Sequence, residues 1–280
     1  MAKITYIRHS CFLLELPEAN FIFDYWRDPP ASGSKSRGEI PEFIRRLPEE
    51  KPLYLLVSHG HKDHYNPEIF GWAAHFADAR FIVSNDVWKR CRHIASPTSV
   101  YHGPRVDPER LVRLLPGERF SQGDVSISAF PSTDIGNSYM VIAGGKRIFH
   151  AGDLNAWIWL EESSEQEIRK AMGDYRACLR SVAESFAGDS GEVPPPEKRH
   201  IDFAFFPVDS RLGKDYFTGA RIFVREFNVA HFFPMHFGLG DEAEQRQRCD
   251  DALKFSLYAN PDRGEYIPLA SPFATFLDND

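Results

Sequence analysis

"SHGHKDH", residues 58–64, places His59, His61, Asp63 and His64 within six positions, directly after the apolar run "PLYLLVS" (52–58). A nearly unbroken run of this kind is the pattern of a strand covered on both faces, and it delivers the chain straight into the cluster. His59 and His61 stand two positions apart, so an extended backbone turns both to one side, and Asp63 and His64 follow where the chain bends away. Imidazole is the commonest protein ligand for zinc, and carboxylate suits zinc, manganese or iron. Four such groups packed behind a buried strand point to a metal ion rather than to scattered core or surface histidines.

Upstream of the cluster, "KITYI", "CFLLEL" and "NFIFDY" read as short strands separated by turns. Downstream, Asn66 and Pro67 open a helix with Ile69, Phe70, Ala73, Phe76 and Ala77 on one side. "RFIVS" is another strand, after which Ser84 caps a short helix carrying Val87, Cys91 and Ile94. "VSISAF", "SYMVIAG" and "KRIFHAGD" follow as three strands. A helix is expected over 160–187, a loop over 187–198, a buried strand at "IDFAFFPVD" and a helix at "TGARIFVREFNV". "AHFFPMHFG" is a strand ending in a histidine, 241–259 an amphipathic helix, and "EYIPL" and "FATFL" closing strands. Strands and helices recur in two similar halves without a low-complexity linker, which predicts one α/β domain over 1–280 with two helix-covered sheets.

Net charge is −7 and the isoelectric point about 5.9, which argues against a polyanion such as nucleic acid as the main partner. Arg45-Arg46 and the Lys89-Arg90-Cys91-Arg92 run fit solvated helix faces. Cys11, Cys91, Cys178 and Cys249 stand singly, so thiolate zinc sites and redox dithiols are not expected, and reduced cysteines suit a cytoplasmic protein. No stretch approaches a membrane span, and "MAKITYIRHS" lacks the build of a signal peptide.

"SHGHKDH" resembles the signature of the metallo-β-lactamase-fold superfamily, whose members are αββα four-layer sandwiches, and the resemblance recurs along nearly the whole chain. "YIRHSCFLLEL…FIFDYW" is similar to the opening of a subgroup of metal-dependent hydrolases that includes ascorbate-6-phosphate lactonase-like proteins. "IFHAGDLN" and "FFPMHFG" look like two further stations of that pattern. The resemblance implies one or two divalent ions, zinc ahead of manganese or iron. His59 and His61 would serve a first metal; Asp63, His64 and His236 a second; Asp153 would lie between them. Asp24 would hold a ligand histidine, or else be a turn residue at a strand end.

One departure stands out. Superfamily members commonly supply a further histidine just ahead of "HAGD", but "SAFPSTDIGNSYMVI" contains none, and Pro131 or Ser132 occupies the place. Asp134 or His9 could stand in as an extra ligand or pocket residue, or the first site is weak. His150 sits at a position that is not usually a ligand, and His75, His93, His102, His200 and His231 read as structural. Trp26, Trp157 and Trp159 could wall a substrate pocket or pack in the core.

The function expected is hydrolysis of an ester-type bond, lactone or phosphoester foremost, in a small molecule, with Asp63 orienting the attacking water or taking its proton. A non-catalytic metal-binding or ligand-sensing protein is the alternative, ahead of a nuclease or a redox protein; the redox members usually carry glutamate where this chain has His61. A homo-oligomer stays open.

Overall fold

The structure, a computed structural model, describes residues 1–27, 40–159, 162–188, 191–254, 257 and 264–279. The chain divides into two compact units, Met1–Leu115 with Ser271–Asp280, and Pro116–Ala270. Each unit carries one of the two sheets expected from the sequence.

The first unit contains β1 (Ala2–Arg8), β2 (Cys11–Glu15), β3 (Asn20–Phe23), α1 (Glu42–Arg45), β4 (Leu53–Val57), β5 (Arg80–Val83), α2 (Asn85–Cys91) and β6 (Leu111–Arg113). The second contains β7 (Arg119–Gln122), β8 (Val125–Pro131), β9 (Asn137–Ala143), β10 (Lys146–His150), α3 (Glu165–Glu184), β11 (His200–Pro207), α4 (Thr218–Glu226), β12 (Asn228–Met235), α5 (Glu242–Leu253) and β13 (Glu265–Tyr266). β14 (Thr275–Asp278) returns to the first unit. The first sheet runs β14-β1-β2-β3-β4-β5-β6, antiparallel from β14 to β3 and parallel from β3 to β6. The second runs β13-β12-β11-β10-β9-β8-β7, parallel from β13 to β10 and antiparallel beyond.

Parallel strands need covering on both faces, and β4 and β11 show it in their composition: "LYLLV" is buried throughout, as is "FAFFP" of β11. In the first unit Leu55, Val57, Phe81 and Val83 pack with Trp72 and Phe76 from the segment that follows the histidine cluster. In the second, Phe223 of α4 stacks on Phe149 of β10 and Phe206 of β11, with ring centroids 5.1 and 4.8 Å apart. Burying each such ring stabilises by about 1.5–3 kcal/mol, enough to fix which strand ends lie side by side.

Several element bounds differ from expectation. Pro67–Ala74 forms a 3-10 helix, with Asn66 capping it through the Glu68 N–H; Gly71 lies in its middle, where glycine costs about 1 kcal/mol relative to alanine in an α-helix. α3 starts at Glu165 because Ser164 and Glu167 form a capping box there; residues 160–161 lie outside the described residues. The last helix ends at Leu253, and the expected turns at 255–256 and 258–259 also lie outside the described residues, as do 189–190 of the expected loop. α4 gives way at Phe227, so "NV" belongs to β12 instead. No helix among the described residues is long and apolar enough to cross a membrane.

Candidate metal centre

In each unit the candidate ligands follow the carboxyl ends of neighbouring parallel strands, where an open α/β sheet leaves its crevice. Asp24 comes directly after β3, Ser58 and His59 after β4, and Ser84 after β5. The ladder continues past the strands, with Asp24 N–H on Leu56 O at 2.9 Å and Ser84 N–H on Val57 O at 3.3 Å. The three ends are thereby held level.

Asp24 organises the first unit's set. Its carboxylate, 1% exposed, accepts from Ser58 N–H at 2.7 Å, from Ser58 Oγ at 2.6 Å and from His64 Nδ1 at 2.7 Å. His64 turns its other ring nitrogen, Nε2, toward Asp63, whose Oδ2 is 3.8 Å away. Ser58 Oγ also lies 2.9 Å from His59 Nδ1, so the same carboxylate steadies two imidazoles, one directly and one through a hydroxyl. His59 Nε2 and His61 Nδ1 are 3.0 Å apart. The turn between them is clamped from α2: Gly60 N–H donates to Asp86 Oδ2 at 2.7 Å, and the Arg90 guanidinium donates to Gly60 O. A side chain at position 60 would put its Cβ 2.7 Å from Arg90 Cζ, so the clamping side chains would have to turn aside.

His9 belongs with Asp63 and His64 rather than with His59 and His61. Its Nε2 lies 3.2 Å from Asp63 Oδ2, and the ligand atoms of His9, Asp63 and His64 all fall within 4.8 Å of one another. The tight connection between β1 and β2 puts it there, with His9 at φ 57° and its N–H on the Tyr6 hydroxyl at 2.7 Å. Trp26 stands beside it, ring centroids 6.1 Å apart, with the Arg27 guanidinium 4.0 Å from the indole centroid.

The second unit repeats the device at β10, β11 and β12. Asp153 comes three residues after β10, Asp209 two after β11, and His236 directly after β12. Ala151 N–H on Phe205 O (2.9 Å) and Val208 N–H on Met235 O (3.0 Å) hold these ends in register. His236 Nε2 faces Asp153 Oδ1 at 3.2 Å, while Nδ1 faces Asp209 Oδ2 at 2.8 Å. Burial opposes a charged imidazole here, but the two carboxylates outweigh it, Asp153 first, and push His236 up to about 9. Burial would raise Asp209; hydrogen bonds from His236 and Arg211 reverse that and hold it well below the usual carboxylate range.

Trp157 donates its indole N–H to Asp153 O at 2.8 Å and lies with its ring centroid 5.4 Å from that of His236. Trp159 is exposed. Thr133 Oγ1 donates to Asn155 O at 2.7 Å and accepts Asn155 N–H at 3.0 Å, fastening the segment that carries Asp153. Asp134 is exposed and caps its own Ile135 N–H, and its carboxylate reaches within 4.8 Å of that of Asp153. His150 is buried and accepts Gly152 N–H on Nδ1 at 3.2 Å. His231 is half-buried beside Asp202 O, at 3.3 Å.

Backbone strain marks the same places. Four non-glycine residues among those described have left-handed φ, and three of them are His9 (57°), Asp24 (47°) and His236 (75°). Such conformations cost about 1–3 kcal/mol each and gather at functional sites. The donor spacing also fits a metal: two ligands of one tetrahedral zinc, each at 2.0–2.1 Å, stand roughly 3.3–3.4 Å apart. The His59–His61, His9–Asp63 and His236–Asp153 pairs are separated by 3.0, 3.2 and 3.2 Å. Asp209, Arg211, Ser58 and Asp86 are not singled out by sequence, and Arg90, expected on a solvated helix face, also donates to Gly60 O; for Ser58 and Asp209 the one available signal is a polar residue just past a buried strand.

Residues 3–168, more than half of the chain, match the family described as "Beta-lactamase superfamily domain". A UPF0173 metal-dependent hydrolase of Carboxydothermus hydrogenoformans is 28% identical over 159 residues, covering 54% of this chain and 62% of that protein. Another, from Desulforamulus reducens, is 29% identical over 161 residues, covering 54% and 61%. The chain thus spans less than two thirds of the length of these relatives. Among solved structures, a metallo hydrolase from the hyperthermophilic archaeon Ignicoccus hospitalis superposes with a TM-score of 0.57 at 15% identity, over 99% of both chains. The metallo-beta-lactamase fold protein YhfI of Bacillus subtilis gives 0.55 at 11% identity over 98% of both. The two mixed sheets are those of the metallo-β-lactamase fold, and the chain belongs to the beta-lactamase superfamily domain family.

Proposed function

We propose that this protein is a metal-dependent hydrolase that cleaves an ester-type bond, a lactone or phosphoester, in a small molecule. Its ligands would be His59, His61, Asp63 and His64 on the first unit, with His9 beside them, and Asp153 and His236 on the second. Zinc is the first choice because imidazole is its commonest protein ligand, and the carboxylates, with no thiolate among the donors, keep manganese or iron behind it. The observation that supports this reading is the spacing of three donor pairs at 3.0–3.2 Å, close to the distance between two ligands of one ion.

A divalent ion held by these groups would supply an activated water nucleophile and stabilise the developing oxyanion. The protein's own part is to fix the donors and handle protons. Asp24 keeps a proton on His64 Nδ1 and so leaves Nε2 as the donor atom. Asp63 is partly exposed and lies between His9 and His64, where its carboxylate can orient a water or accept its proton. Trp157, ordered by its bond to Asp153 O, would offer an apolar wall beside the second unit's donors, and Trp26 one beside His9 on the first.

The test is a hydrolysis assay of zinc- and manganese-loaded protein on generic lactones and bis(p-nitrophenyl) phosphate. Activity on one class, abolished by chelation and reduced about 10²–10⁴-fold in Asp63→Asn, supports the reading. Turnover indistinguishable from Asp63→Asn on every substrate refutes it, and oxygen consumption by iron-loaded protein would favour a redox reading instead.

A further inference from the structure

We propose that Asp209, braced by Arg211, is a positioning residue that fixes the tautomer and angle of His236. The inference rests on the metal reading above and concerns a carboxylate outside the ligand set. Asp209 is fully buried, and its carboxylate does two things at once. Oδ2 faces His236 Nδ1 at 2.8 Å. Both oxygens are gripped by Arg211, with Nε at 2.9 Å from each, Nη2 on Oδ2, and the Arg211 peptide N–H on Oδ1 at 3.0 Å.

The arrangement follows from topology. β11 and β12 are parallel neighbours with Pro207 opposite Met235, so the chain leaves both strands at one level. Asp209 then caps the short turn Ser210–Leu212, which folds Arg211 back onto its carboxylate. A buried carboxylate facing only an imidazole could rotate, and the guanidinium fixes its plane. The carboxylate in turn requires a proton on His236 Nδ1, which leaves Nε2, facing Asp153 at 3.2 Å, as the donor atom. His236 itself sits at φ 75°, a strained backbone of the kind that gathers at functional sites. The pairing repeats what Asp24 does for His64, on a different sheet and from a different strand.

The test measures zinc affinity by chelator competition in wild type, Asp209→Asn, Arg211→Lys, His236→Gln and the Asp209→Asn/His236→Gln double variant, with circular dichroism to establish folding. Asp209→Asn should weaken zinc binding about 10–100-fold and Arg211→Lys by a smaller factor. In the His236→Gln background the Asp209 change should add less than about twofold, because the two act through one ring. Wild-type affinity in folded Asp209→Asn, or an equal loss in both backgrounds, would overturn the inference while leaving the metal reading intact. If wild type binds no zinc, the metal reading fails on its own. The inference is then decided by the His236 Nδ1–H proton resonance in chelated protein: it should vanish or move upfield in Asp209→Asn, and an unchanged resonance would overturn it.

Discussion

Replacing Asp24 by asparagine separates what this carboxylate does for the fold from what it does for His64. Asp24 is 1% exposed and accepts three hydrogen bonds of 2.6–2.7 Å, two from Ser58 and one from His64. Asparagine has the same size and tolerates the left-handed backbone at 47°. It offers one acceptor oxygen, however, and two donors in place of the second oxygen. With that oxygen on the Ser58 peptide, the amide NH₂ meets His64 Nδ1 and drives the ring proton to Nε2, where it blocks metal binding. Zinc affinity should therefore fall about 10–100-fold, or about 1.4–2.7 kcal/mol. Stability of the chelated protein should fall by about 1.5–3 kcal/mol, because both groups that bond to Oδ2 can turn to accept from the new amide while the charge is lost. Asp24→Ala strands all three donors and should cost about 3–5 kcal/mol. Urea unfolding in EDTA reads the stabilities, and competition with a chromophoric chelator reads the affinities. Asp24→Asn protein that binds zinc within twofold of wild type would refute the reasoning.

Gly60→Ala should cost about 1 kcal/mol in urea unfolding, because the new Cβ would push aside the ends of Arg90 and Asp86 and weaken the bonds they make to Gly60; unchanged stability would show that the clamp contributes nothing. His236, pushed up to about 9 from an unfolded value near 6.5, stabilises chelated protein fully below pH ~6.5 and loses that contribution as pH rises through about 9. The drop between pH 6 and 10 should exceed that of His236→Gln by up to about 3 kcal/mol in urea unfolding, and equal slopes for the two proteins would contradict the pairing. In native protein at pH 8, iodoacetamide should label Cys249 first, since Cys11, Cys91 and Cys178 are buried and burial pushes the Cys91 thiol up to about 12. Mass spectrometry showing Cys91 modified before Cys249 would count against the packing of α2.

What was legible in the sequence was whatever lies contiguously or follows an apolar strand. His59, His61, Asp63 and His64 stand out as candidates because four donors share six positions, whereas Asp153 and His236 become candidates only through the resemblance of "IFHAGDLN" and "FFPMHFG" to a known pattern. Asp24 was open between a turn residue and a partner to histidine; its two roles coincide, since a residue at a strand end is the one that can reach the neighbouring strand's end. Asp209 occupies the same kind of place in "FPVDSR" and gave no signal, because a single acid after a strand is ordinary and its partner His236 lies 27 residues on. His9 could be named as a candidate but not assigned, because the β1–β2 turn that aims it at Asp63 depends on a left-handed φ that composition does not show. The short edge strands β6 and β7 escaped notice because their residues are partly exposed and lack alternation.

Metal content is the most direct measure of the central claim, that the histidines and aspartates past these strand ends hold metal. Wild type, His64→Gln and His236→Gln would be loaded with zinc, desalted and analysed by inductively coupled plasma mass spectrometry beside circular dichroism. Wild type should retain tightly held zinc, with more bound only in excess zinc, and each variant should fold yet retain less than wild type. A wild-type protein that retains no metal under replete conditions, or variants that retain it in full, would contradict the account.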